Sequence, residues 1–213
     1  MKKLGRFITF EGGDGAGKTT LIESVYLHLA CLGANVLKTR APGGTEAGQE
    51  IRQVILTPRS GGLSKRCELL LYLADRAEHV EAFIRPALKN NKIVLCDRYN
   101  DSTLVYQGAA RGFDEKWLRK LLSFATDDLT PDLTFYLDVD PAIGVARTLR
   151  SRGAKDRLEA ESLAFHRKVR LAYRAIAKKE PKRVQIIDAS LPPDEVFEQV
   201  KRRIDAFLYP RRK

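Results

Sequence analysis

Gly12-Gly13-Asp14-Gly15-Ala16-Gly17-Lys18-Thr19 matches the pattern G-x-x-x-x-G-K-[ST] without a gap. Each residue type in that pattern answers a need of polyphosphate binding. Glycines allow positive φ and let backbone N–H groups close around phosphate oxygens. The N-terminus of a following helix adds favourable dipole charge. Lys18 has the length to reach the β- and γ-phosphates, and the Thr19 hydroxyl suits Mg²⁺. The chemistry implied is the binding of a nucleoside triphosphate, with Gly12 to Thr19 as its cradle.

Such a loop works only between a buried strand and a helix. The apolar run Phe7, Ile8, Phe10 precedes it, and Leu21, Ile22, Val25, Leu29 and Leu32 follow at helical spacing. Further on, Asn35–Thr39 reads as a strand and the Pro/Gly-rich stretch Arg40–Thr45 as a turn. Helical patterns cover Glu46–Leu56 and the long span Lys65–Lys89, whose stripe is Leu69, Leu73, Ala77, Val80 and Ile84. Strands are expected at Ile93–Cys96, Leu133–Val139 and Val184–Ile187. A short helix is expected at Ser102–Gln107, and longer ones from Asp114 through Phe124, after Asp140-Pro141, at Leu158–Lys178 and at Pro192–Leu208. The alternation predicts an α/β chain with a five-stranded parallel sheet, helices on both faces and right-handed crossovers. With 213 residues and no linker, repeat or low-complexity stretch, one domain over residues 1–213 is expected.

In a parallel α/β sheet ligands gather at the strands' carboxyl ends. Asp97-Arg98-Tyr99 ends the third strand, so a carboxylate and a guanidinium are placed for metal–phosphate chemistry. A strand-terminal salt bridge accounts for Asp97 and Arg98 as well. Tyr72 and Arg76 lie one helical turn apart, which also suits a helix edge with a snorkelling arginine. Arg147, Arg150, Arg152, Lys155 and Arg157 surround Gly153; they fit either a mobile cationic lid over an anion or a solvated basic helix.

The formal net charge is +11. No aromatic-interleaved basic stripe accompanies it, and many arginines fall near the motifs. This favours small polyanionic ligands over nucleic acid. No apolar run is long enough to span a membrane and no leader is evident, so a cytoplasmic protein is expected. Cys31, Cys67 and Cys96 lack metal-site spacing and read as buried reduced thiols. Asn91-Lys92-Ile93-Val94 lacks the aspartate of a guanine-reading Asn-Lys-x-Asp, and there is no later Asp-x-x-Gly switch.

An ordered set of motifs narrows the class. Glu11–Thr20 resembles the thymidylate kinase family's EG-x-[DE]-G-A-G-K-T-T, and Thr39–Thr45 its T-R-E-P-G-G-T. Leu73-Ala74-Asp75-Arg76, Asp97-Arg98-Tyr99, Tyr106-Gln107-Gly108, Pro131–Thr134, Asp156–Glu159 and Ile187-Asp188-Ala189 follow in the family's order. The resemblance implies a three-layer P-loop NTPase fold with a basic lid at about 147–157, and a homodimer. It implies ATP and dTMP as substrates, Mg²⁺ with ATP on Thr19 and Asp97, and no nucleic-acid or membrane partner. Lys18, Asp97, Arg98, Arg150 and Arg152 would be catalytic. Asp14, Arg40, Tyr72, Arg76, Arg98, Thr103, Tyr106 and Gln107 would bind dTMP. Two positions depart from the pattern: Ala41 stands where the family has glutamate, and Gly13 where a branched apolar residue is usual. Another P-loop nucleotide kinase is the nearest competing reading, and a regulatory or nucleic-acid-binding module without turnover a more distant one.

Overall fold

The computed structural model describes residues 5–152 and 161–210, with side chains for all of these except 150–152. Five strands, β1 (Arg6–Gly12), β2 (Val36–Arg40), β3 (Ile93–Asp97), β4 (Leu133–Asp138) and β5 (Val184–Asp188), form one parallel sheet in the order β2-β3-β1-β4-β5. Every residue of β1 after Arg6 is buried, as the continuous apolar run of a strand covered on both faces requires.

Helices α1 (Lys18–Cys31) and α9 (Pro193–Leu208) cover one face. Their Leu21, Val25, Leu29, Val196, Val200 and Ile204 pack with Ile8 and Phe10. On the other face α3 (Lys65–His79), α6 (Glu115–Thr126) and α8 (Leu163–Lys179) share a core containing Leu69, Leu118, Leu122, Val169 and Tyr173. Phe7 projects to a third cluster with Val80, Ile84 and Tyr99. Helix α2 (Glu46–Leu56) packs on α3, and α7 (Pro141–Arg152) leads away from β4.

The expected helix over 65–89 is continuous but not uniform. A π-helical turn, Val80–Ile84, joins α3 to α4 (Arg85–Lys89). Likewise the short helix expected at Ser102–Gln107 is α5 (Asn100–Thr103) running into a π-helical segment, Leu104–Ala110. That segment carries the helical backbone beyond Gln107, to Ala110. Helix α8 starts at Leu163 rather than Leu158. Residues 153–160, with much of the expected lid and the Asp156–Glu159 motif, lie outside the described residues.

Cys96 is buried, but Cys31 and Cys67 are exposed, correcting the expectation for those two thiols. Cys31 ends α1 beside exposed Leu27 and Leu32. Cys67 precedes Glu68 and Leu69, which take the inward face of α3 and turn Cys67 outward.

Candidate active site

Parallel register brings the ends of three strands together. Arg40 pairs with Asp97 across β2 and β3, and Phe10 pairs with Asp97 across β1 and β3, just before the loop that begins at Gly12. A cavity of about 770 Å³ opens at this edge. Asp14, Gly15, Gly17, Lys18 and Thr19 line it, as do Arg40, Tyr72, Arg76, Asp97, Arg98, Thr103, Tyr106 and Gln107. Gly12, Gly13 and Ala16 complete the loop without lining the cavity. Motifs far apart in the chain therefore share one space.

In the loop, Gly17 caps α1 in the left-handed conformation, so the helix N-terminus faces the cavity. Lys18 folds back, donating to the carbonyls of Gly12 at 3.2 Å and Gly13 at 3.0 Å. Its pKa is lowered by burial and by the neighbouring Arg98 charge. A Cβ on Gly13 would meet nothing within 4 Å, so the departure there is no demand of packing.

Arg98 adopts φ 69°, unusual for a residue with a side chain. Its guanidinium donates to the Gly12 carbonyl at 2.9 Å and to Asp14 Oδ1 at 2.7 Å, and lies over the Tyr106 ring at 5.2 Å. Burial would raise the Asp14 carboxyl, but Arg98 and Lys18 outweigh it and hold its pKa below the ordinary value. Asp14 Oδ2 is buried without a hydrogen-bond partner, as is Asp97 Oδ1. The salt bridge weighed for Asp97 and Arg98 is not made; Arg98 pairs with Asp14 instead.

Arg76 is only 2% exposed and lies over the Tyr99 ring at 4.5 Å, with Nε and Nη1 unpartnered. A snorkelling arginine on a helix edge is thereby corrected: this cation is inside, and two of its donors are unused. The Tyr106 hydroxyl is also buried without a partner. Unsatisfied polar atoms are costly in a folded interior, and those of Asp14, Arg76, Asp97 and Tyr106 belong to residues lining one cavity, as expected where a polar ligand supplies the missing partners.

Asp75 and His79, one turn apart on α3, hold the 40–45 turn. Asp75 Oδ1 accepts the Gly43 N–H at 2.7 Å, and His79 Nε2 bonds Thr39 Oγ1 at 2.7 Å. Ala41 is buried in that turn, its N–H donating to the Asp97 carbonyl. Arg147 of α7 lines the cavity and donates to the Ala189 carbonyl at 2.9 Å. The side chains of Arg150 and Arg152 lie outside the described residues.

Sequence reasoning missed several supporting groups. Arg52 of α2 lines the cavity near Arg40 and donates to the Pro42 carbonyl. Glu11 is fully buried behind the loop, accepting from the Tyr99 N–H, the Ser102 hydroxyl and the Tyr173 hydroxyl. Glu68 accepts from Gln107 and pairs with Arg111. An acidic residue inside an apolar strand, as at Glu11, is the signal that was available.

The sequence profile described as thymidylate kinase matches residues 10–200. A thymidylate kinase of Desulfovibrio desulfuricans is 49% identical over 95% of this chain and 96% of its own length. That of Thermomicrobium roseum is 51% identical over 91% of each. The crystal structure of thymidylate kinase from Ehrlichia chaffeensis superposes with a TM-score of 0.77 at 33% identity, covering 94% of this chain and 98% of that one. With the parallel sheet, the phosphate loop and the ordered motifs already in place, these likenesses put the chain in the thymidylate kinase family of ATP-dependent nucleotide kinases.

Proposed function

We propose that this chain, acting as a single kinase domain, transfers the γ-phosphoryl group of ATP to dTMP, giving ADP and dTDP. The observation that carries the reading is one cavity lined both by the phosphate loop and by Tyr72, Arg76, Thr103, Tyr106 and Gln107. The nucleophile is a phosphate oxygen already ionised at neutral pH, so no general base is required. What the protein must supply is alignment of two anions and neutralisation of charge on the transferring group. Guanidiniums suit both tasks, because they bind phosphate oxygens in a fork and keep their charge.

In this reading Lys18 and the loop amides hold ATP, and Arg98 and Arg40 grip the acceptor phosphate. Arg98 would exchange one of its present acceptors, Asp14 or the Gly12 carbonyl, for that phosphate. Asp14 accepts from the sugar 3′-OH through Oδ2, which lacks a partner. Tyr72 stacks on thymine and Arg76 donates to O4, where cytosine carries an amino group that cannot accept. Thr103 meets the base edge and Tyr106 crowds the ribose 2′ position. Arg152, with Arg150 or Arg147, is assigned to the transferring group, since Gly15 leaves the loop without a cation of its own there.

The residues present fit Mg²⁺ accompanying ATP. Thr19 lines the cavity and Asp97 offers a buried oxygen with no other partner. No cluster of three or more acidic, His or Cys residues is found among the described residues. A hard cation that keeps several waters and takes phosphate ligands needs only one or two protein oxygens. Thr19 and Asp97 would hold the ion, which when bound neutralises phosphate charge. A cytoplasmic site of action belongs to this reading, since its substrates are free nucleotides. No helix among the described residues is long and apolar enough to cross a membrane. Homodimer formation is proposed through helices that leave Leu70, Trp117 and Phe124 exposed.

A coupled assay of ADP release with dTMP, dUMP, dCMP and dGMP tests the reading. Removal of one lid arginine should cost roughly 10³–10⁵-fold in turnover, by analogy with arginine fingers. Turnover is expected with dTMP and should fall in Arg98→Ala. Equal activity in that variant would overturn the site assignment.

A further inference from the structure

Gln107 lines the cavity and is almost fully buried, yet its amide is ambiguous by chemistry: one end donates, the other accepts. Which end faces a ligand decides which base edge is welcome. Glu68 removes the ambiguity. It lies in the first turn of α3, one turn before Tyr72, is 1% exposed, and does not line the cavity. Its Oε1 receives the Gln107 Nε2 group at 2.9 Å. A carboxylate paired with a guanidinium only accepts hydrogen bonds, so it admits the NH₂ end of Gln107 and repels the carbonyl. The pairing is supplied by Arg111, whose Nε and Nη2 approach Glu68 at 3.3 and 3.4 Å. Arg111 is fixed in turn by Glu161 at 2.6 Å and by the Phe165 ring beneath it.

The consequence falls on the other end of the amide. Gln107 Oε1 bonds no donor among the described residues. It is an acceptor with its orientation set from behind. We infer that Glu68 is a specificity-determining positioning residue: it locks the Gln107 amide so that a carbonyl acceptor meets the pyrimidine N3 edge. Thymine carries N3–H and satisfies that acceptor. Cytosine presents a lone pair at N3 and opposes it. Base choice would then be enforced at two neighbouring atoms, O4 by Arg76 and N3 by Gln107 under the control of a residue that touches no substrate. This inference rests on the reading of the cavity as a dTMP site.

The test is the ratio of kcat/KM for dTMP to that for dCMP in the full chain. Glu68→Gln is nearly isosteric but gives the amide's partner a donor of its own. Because Oε1 receives both Gln107 Nε2 and Arg111 Nε while Oε2 receives Arg111 Nη2, the new NH₂ must oppose one of these donors, and the lock on the Gln107 amide is loosened either way. The dTMP:dCMP ratio is expected to fall about 10–100-fold, the size of a mismatched buried hydrogen bond, through KM with kcat little changed. Gln107→Met should lower the ratio similarly, and Glu68→Gln added to Gln107→Met should lower it no further. A Glu68→Gln enzyme that loses both activities in proportion overturns the inference. So does a Gln107→Met enzyme that keeps its discrimination, whether or not the Glu68 variant folds. Failure of the wild-type chain to use dTMP at all would instead refute the underlying function.

Discussion

The Glu11 carboxylate accepts the backbone N–H of Tyr99 at 2.6 Å, across 88 residues of sequence. That peptide is the one directly after Arg98, whose backbone is in the left-handed region at φ 69°. A side-chain-bearing residue there costs about 1–2 kcal/mol, so something must hold it. The Arg98 N–H donates to the Phe10 carbonyl at 2.9 Å on one side, and Glu11 takes the next N–H on the other. Ser102, which Glu11 also binds, lies 3.4 Å from the Arg98 guanidinium. Glu11 therefore aims Arg98 without touching a ligand. In Glu11→Gln, kcat/KM for dTMP should fall about tenfold, the loss of roughly one hydrogen bond to a charged group, while KM for ATP stays near its original value. Steady-state kinetics varying each nucleotide measure both. A lowered melting temperature with unchanged kinetics would restrict Glu11 to a structural role.

Acid should loosen the 40–45 turn through His79. Burial, and then the Arg76 charge, depress its pKa from 6.5 to about 3, so the ring is neutral in the folded protein across that interval. The unfolded chain binds a proton there and the folded chain does not. Stability is thus fully present above about pH 6.5 and declines as pH falls toward 3. At ~1.4 kcal/mol per unit the loss reaches a few kcal/mol. Denaturant titrations from about pH 4.5 to 7.5 should show unfolding free energy rising with pH, with a shallower slope in His79→Gln. Equal slopes in the two proteins would remove His79 as the source.

The legible parts of this molecule are those whose physics is local. The phosphate loop reads directly because one octapeptide carries its own turn, lysine, hydroxyl and helix start. The strands read as short apolar runs because the sheet is covered on both faces. Arg76 is legible only by resemblance, since helical spacing from Tyr72 fits a surface arginine equally well. Its burial depends on Tyr99, which arrives from another strand end. Groups defined by distant partners are invisible in the sequence. Glu11 meets Tyr173 across 162 residues, and Asp101 receives both Nη atoms of Arg183 across 82. The two π-helical turns also escape, because a single wide turn leaves the apolar stripe of its neighbours almost unchanged.

Gly15 and Gly144 are a reciprocal pair, and together they decide where the site's extra cation can come from. A Cβ on Gly15 would lie 2.0 Å from the Gly144 carbonyl oxygen; one on Gly144 would lie 2.4 Å from the Asp14 carbonyl oxygen. The loop and the first turns of α7 therefore meet backbone to backbone. Gly15 also has φ 68°, which penalises any side chain. An arginine at this loop position cannot be added without moving α7, and with it Arg147 and Thr148, which line the cavity. Gly15→Arg should accordingly lose activity rather than gain a second phosphate-binding cation. We expect destabilisation of about 1–3 kcal/mol from the strained backbone and the displaced helix, with a raised KM for ATP. Gly15→Ala separates sterics from charge: it should show most of the same loss. If Gly15→Arg instead matched or exceeded the original turnover while Gly15→Ala was impaired, the loop could take over the cationic role and α7 would not be its necessary source.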